Sequence, residues 1–210
     1  MNRRLPWPLL GGAALALATG CTVGDGHGEV TTERLYLQGC WNGSFDLKPD
    51  FFAANPYRGE SLQIRVQRGD NNTEASDGLI VLVSDLEAVR EQLHVPIPVG
   101  LPAGVAPPGQ PLTGEKGPLV SLSLYLHQTC HEQNSATYSV SGDITFNSIF
   151  SGDPNEEDSD ARYTDAIFDV RFADPRELVD AEDPSAVTSD NVHGEFSFFF
   201  QRGQPAQPFQ

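Results

Sequence analysis

Basic residues are scarce in this chain. Over 210 residues, 13 Lys and Arg stand against 29 Asp and Glu, a net charge of −16 at pH 7. A protein that grips phosphate needs a basic footprint, so nucleic acid is excluded as a general partner. Methionine occurs once, while glycine (20) and proline (16) are frequent, which argues for many turns and against a helical bundle. Charged residues of both signs reach only 20% and hydrophobic ones 39%, so the chain can bury a core and is not a disordered acidic polymer. Common enzyme signatures are also missing. There is no Gly-x-Ser-x-Gly elbow, no Ser-x-x-Lys, and no glycine-rich phosphate loop leading from a strand into a helix. Carboxylates are so numerous that no single pair points to acid–base chemistry.

Long apolar runs are absent with one exception. Asn2-Arg3-Arg4 is a short basic segment, and Leu9 to Ala18 is an apolar stretch of signal-peptide length, short of the roughly 20 residues a membrane span needs. It closes on Leu17-Ala18-Thr19-Gly20-Cys21, which resembles the lipobox of bacterial lipoproteins; Ala18 stands where leucine is commoner. The resemblance covers residues 1–21. It implies cleavage before Cys21, a thioether-linked diacylglycerol on that cysteine, and acylation of the new terminus. Several acyl chains anchor stably where one does not. Thr22 is not the aspartate that the family associates with inner-membrane retention, so the resemblance implies an outer-membrane location. Loss of residues 1–20 removes Arg3 and Arg4, leaving 11 basic against 29 acidic residues, or −18. With Cys21 lipidated, Cys40 and Cys130 remain as an even pair in an oxidising compartment, and a Cys40–Cys130 disulfide is expected.

Residues 22–32 are polar and glycine-rich and read as a tether. Beyond them the dominant period is two. Leu62, Ile64 and Val66 alternate with Gln63, Arg65 and Gln67; Val120, Leu122, Leu124 and Leu126 with Ser121, Ser123 and Tyr125; Ala166, Phe168, Val170 and Phe172 with Asp165, Ile167, Asp169 and Arg171. Strict alternation places one face on a core and the other in solvent, the antiparallel pattern. The unbroken run Leu79–Val83 reads as a central strand covered on both faces. Ser84-Asp85-Leu86-Glu87 reads as a capping box for one short helix near 85–93, which Pro96 prevents from continuing. A second helical turn can follow Asp174-Pro175. Residues 94–118 form a long Pro/Gly-rich loop. Three strings repeat glycine followed by apolar residues two and four places on: Gly43-Phe45-Leu47, Gly142-Ile144-Phe146 and Gly194-Phe196-Phe198. A glycine there permits a bulge or a close backbone approach. Gly39-Cys40-Trp41 matches the Gly-x-Trp opening of lipocalins, but the rest of that signature is absent.

The expected fold is therefore all-β, an antiparallel sandwich of about six to nine strands. The expected organisation is a cleaved leader over 1–20, a lipidated cysteine and tether over 21–32, one β-domain over 33–202 and a Pro/Gln-rich tail over 203–210.

Candidate sites are few. Residues 153–190 hold 13 acidic side chains against three arginines. Within them Asp153, Asn155, Glu157 and Asp160 offer oxygens at the spacing hard calcium requires, although Asp158 and Thr164 occupy the glycine and glutamate positions of an EF-hand. The alternative is a solvated hairpin loop. Asp70, Asn72, Glu74 and Asp77 form a weaker version. His127 and His131 flank Cys130, but they sit at a strand exit and Ser135 stands where a third zinc ligand would be needed. If Phe196, Phe198 and Phe200 face the core, Phe199 points outward, towards another layer or an interface. The expected function is a non-catalytic, membrane-anchored envelope lipoprotein that contacts an envelope protein partner and uses no cofactor. The alternative is a ligand-binding β module for calcium, carbohydrate or a small apolar molecule, with Trp41, Tyr57 and Tyr125 as stacking faces.

Overall fold

The computed structural model describes residues 26–57, 60–69, 72–106, 117–131 and 136–201, and only the backbone of Tyr57. The leader, Cys21 and the 203–210 tail lie outside these residues. The described chain is an all-β antiparallel sandwich made from one continuous sheet. Its strands are β1 (Gly26–Leu37), β2 (Trp41–Leu47), β3 (Phe51–Tyr57), β4 (Ser61–Arg68), β5 (Asp77–Val83), β6 (Ile97–Pro98), β7 (Val120–Leu126), β8 (Ala136–Ser148), β9 (Tyr163–Ala173) and β10 (Val192–Phe199). Nine follow the order β2-β1-β10-β9-β8-β7-β5-β4-β3, and β6 pairs with β8 off this path. The tenth strand exceeds the expected count because the Pro-rich segment lays Ile97 and Pro98 against Ile144 and Asp143.

Strands β2 and β3 occupy opposite edges of the sheet, yet only residues 48–50 join them. Four peptide steps reach at most about 14 Å. Nine strands laid flat would place those edges roughly 38 Å apart. The sheet must therefore fold over on itself. Strand β8 serves both layers: it pairs with β7 only over Ala136–Tyr138, shifts register between Ser139 and Ser141, and continues along β9 with β6 on its other side. Gly142 stands at this irregularity with φ of +110°, and a Cβ there would collide with the Asp169 carbonyl. Only glycine fits.

Closure comes from Phe52. It faces inward from β3, its ring centroid 5.7 Å from that of Phe198 on β10 and its ring over the backbone of Gly26 and Gly28 on β1. A Cβ on Gly28 would lie 2.9 Å from Pro49 Cγ. This overturns the reading of residues 22–32 as tether throughout. The strand starts at Gly26, and glycines that look like flexibility are the space into which the opposite layer packs. Val30 is already fully buried.

The core lies between the layers and takes the inward members of the alternating strands: Leu62, Ile64, Val66, Leu79, Val81, Val83, Leu122, Leu124, Phe146, Phe168, Phe172 and Phe196 among them. Run Leu79–Val83 departs from expectation in one respect. Ile80 and Leu82 are half-buried on the outer face, so β5 is central by pairing but not covered completely. The short helix is α1 (Leu86–Arg90), and its N-cap is Asp85, which accepts from the Ala88 amide at 3.0 Å. Ser84 instead donates its hydroxyl to the Pro118 and Leu119 carbonyls. The second helical turn is α2 (Pro175–Asp180), capped by Asp174.

The Cys40–Cys130 disulfide joins the β1–β2 turn to the turn after β7, tying one layer to the other. Asp77 holds the second half in place. Its fully buried carboxylate accepts from the Gln128 amide at 3.0 Å, the Thr129 amide at 2.9 Å and the Thr129 hydroxyl at 2.6 Å, and pairs with Arg68 at 3.0 Å.

Two outcomes test this architecture by denaturant unfolding. Phe52→Ala should cost about 3–5 kcal/mol, as a core aromatic does when its cavity cannot collapse. The double variant Cys40→Ser/Cys130→Ser should cost about 2–4 kcal/mol without changing the strand content seen by far-UV circular dichroism.

Candidate interaction surface

The outer faces of the two layers differ. On β4 and β7 most outward residues are themselves covered, and on β5 Ile80 and Leu82 are half-buried. Arg65, Gln67 and Tyr125 are buried; the Tyr125 hydroxyl donates to Gln67 Oε1 at 2.8 Å, and Arg65 donates to Thr73 at 2.9 Å while lying 4.9 Å over the Phe51 ring. Burial pushes the Tyr125 phenol well above its usual range, against the partial opposition of the Arg65 charge. His127 Nδ1 lies 2.9 Å from the Thr73 carbonyl oxygen. These groups stitch the 72–76 and 127–131 turns to the sheet. Among the described residues, no group of three His, Cys, Asp or Glu side chains is arranged to hold a metal ion.

On the other layer the outward residues stay open. Alternation turns Tyr163, Asp165, Ile167, Asp169 and Arg171 of β9 out, and the register sets them beside His193, Glu195, Ser197 and Phe199 of β10 and His27, Glu29 and Thr31 of β1. Glu29 stands directly opposite Glu195, and Asp143 of β8 directly opposite Asp169. Like charges in direct cross-strand opposition destabilise a sheet. Each pair has one histidine neighbour: His193 Nδ1 lies 3.0 Å from Asp169, and His27 Nε2 lies 3.6 Å from Glu195. Ile167 is 49% exposed at the centre of the face. With Glu29, Thr31, His193 and Glu195 it lines a shallow depression of about 320 Å³.

At the end of the same face, Phe199 is 42% exposed and tilts over Tyr163 at 4.7 Å. Its neighbours are packed: Phe196 and Phe198 in the core, and Phe200 stacked on Phe150 at 4.1 Å. The outward parity expected of Phe199 is the one observed.

The acidic turn beside it does not assemble the calcium candidates. Asp153 accepts from the Asn155 amide at 2.8 Å, and Asp158 accepts from that of Asp160 at 3.0 Å; these are turn-closing contacts. Glu157 instead lines an open depression with Pro154, Glu156, Arg162 and Phe200. Of the weaker set, Asn72 caps the 73–75 turn and Asp77 is spent on the Thr129 turn, while Asp70 lies outside the described residues. The stacking candidates are likewise separate. Trp41 packs edge-on to Phe45 of β2, whereas Tyr125 is buried on the outer face of the opposite layer.

A larger open cleft of about 600 Å³ lies beside α2, lined by Gln38, Asp174, Arg176, Glu177, Asp180, Ala181 and Val187. Burial alone would raise the Asp174 carboxyl, but side-chain and backbone hydrogen bonds from Arg176, with its charge, hold it below the usual range. Glu177 is raised, by burial first and by the Asp174 charge next.

No protein-family model matches the chain, and no curated protein or solved structure matches it at a significant level.

The α2 cleft yields a pH test. A depressed carboxyl adds stability that is present above the ordinary aspartate pKa and lost as pH falls through the lower folded value. Asp174→Asn should therefore cost less than about 1 kcal/mol at pH 7, because Arg176 is largely exposed, and the deficit should vanish in strong acid. Glu177→Gln should leave neutral-pH stability unchanged or higher, since its raised pKa means the fold favours the uncharged form. Thermal melts from pH 2 to 8 read both.

Proposed function

We propose that the mature protein is a membrane-anchored lipoprotein of the bacterial envelope, tethered through Cys21 at the outer membrane, whose β-domain makes non-catalytic contacts with another envelope protein. The observation that carries this reading is the open sheet face on β1, β10 and β9, where Ile167 and Phe199 remain exposed although the rest of the aromatic strand is packed. Exposed apolar side chains on a face rimmed by polar residues are the anatomy of a contact patch. The lipid anchor rests on the resemblance of Leu17–Cys21 to a lipobox. A second reading, a small polar ligand held beside α2, draws support from the size of that cleft and its Asp174–Arg176 pair.

Affinity capture of the full lipidated protein from cross-linked native envelopes tests the first reading. A stoichiometric partner should be recovered with the wild type and lost with both Cys21→Ala and Phe199→Asp. A partner that survives Phe199→Asp removes the face from the account. Absence of any partner from intact membranes sinks the reading and leaves the α2 cleft.

A further inference from the structure

Within the reading of the domain as an interaction module, we infer that the open face docks a basic polypeptide segment, with one lysine or arginine side chain seated in the depression between Glu29, Glu195, Thr31 and Ile167.

The face is chemically lopsided. Antiparallel register sets Glu29 against Glu195 and Asp143 against Asp169, with His27 3.6 Å from Glu195 and His193 3.0 Å from Asp169 as their basic neighbours. Nothing in the pattern of β1 or β10 requires this arrangement for folding, since any small polar residue would satisfy an outward position. The arginine on the outer face of β9, Arg171, is turned to Asn191 Oδ1 at 2.8 Å. A cation placed between Glu29 and Glu195 turns mutual repulsion into two attractions. The depression supplies the remaining contacts: the Thr31 hydroxyl accepts from an ammonium or guanidinium, and exposed Ile167 gives the aliphatic stem of lysine or arginine an apolar surface to lie on.

The same charges exclude an anionic lipid surface as occupant, because carboxylates and phosphate headgroups repel. A bare divalent cation fits poorly, since the side chains are not arranged as ligands. A peptide differs from both in bringing charge, stem and backbone together. It can reach Phe199 and Tyr163 further along β10 and β9 with an apolar residue of its own.

The experiment uses the full lipidated protein in neutral detergent micelles and a fluorescent peptide of alternating arginine and leucine, read by anisotropy at physiological salt. Binding should weaken about tenfold in Glu29→Gln/Glu195→Gln. It should change by less than about twofold in Glu156→Gln/Asp158→Asn, which removes equal charge from the acidic turn. The first variant should melt at the same temperature as the wild type or higher, because repulsion is relieved, so weakened binding cannot be ascribed to unfolding. Ile167→Ser should also weaken binding while leaving its salt dependence intact.

Equal weakening by both double variants would show only general attraction to an acidic protein and would overturn the inference. So would unchanged binding in Glu29→Gln/Glu195→Gln, complete competition by calcium alone, or adhesion of this face to anionic vesicles. If the peptide fails while envelope capture still depends on Phe199, the partner chemistry is wrong and the interaction reading stands. If the peptide binds as described and capture fails, it is the envelope partner that falls.

Discussion

Residues 48–50 connect the two outermost strands of a nine-strand path, and most of the molecule follows from that short link. A sheet whose edges must meet cannot lie flat, so it needs a strand that changes layers, and β8 does so at the Gly142 irregularity. It also needs a place where the layers come together tightly, which Gly26 and Gly28 supply by leaving room for Phe52. The disulfide between the β1–β2 turn and the turn after β7 then reinforces the same approach of layers. Asp77 belongs to this set, because it orders the residues just before Cys130.

Folding over leaves two outward faces with different fates. One is closed by a polar network in which Arg65, Gln67 and Tyr125 are buried and satisfied in part by the 72–76 turn. The other has no such cover among the described residues and carries the repelling carboxylates, Ile167 and Phe199. The closed face is locked by its own polar groups, while the open face leaves Ile167 and Phe199 in solvent.

Much of this was legible along the chain. Alternation in β4, β7 and β9 marked the correct inward residues, the Asp174-Pro175 start marked α2, and pairing of the two cysteines followed from their number. The apolar members of the three glycine-led strings, Phe45, Leu47, Ile144, Phe146, Phe196 and Phe198, are all buried, but the glycine is needed for close approach in only two of them, where a Cβ on Gly142 or Gly194 would strike Asp169 or Phe168. Gly43 has open space around it and no positive φ. What stayed hidden depends on partners distant in sequence. Gly26 and Gly28 look like linker until Phe52 is placed over them. The opposition of Glu29 and Glu195 arises because the first and last strands are neighbours, and no local period announces that. The Asp85 cap was obscured by Ser84, whose hydroxyl is drawn to the 118–119 carbonyls.

The pairing of β10 between β1 and β9 also sets the order in which the fold can form. As a chain emerges from its N-terminus, β1 and β2 can make a hairpin, but β1 then shows a bare edge until the last strand is delivered. Most of the stabilising contacts are between residues far apart in sequence, which makes such topologies slow to fold. Until β10 takes its place, β1 and β9 each lack a neighbour, and the two stretches of the strand path stay unjoined. The same delay leaves a long unpaired strand edge waiting, a surface that must be shielded from its neighbours until β10 pairs with it.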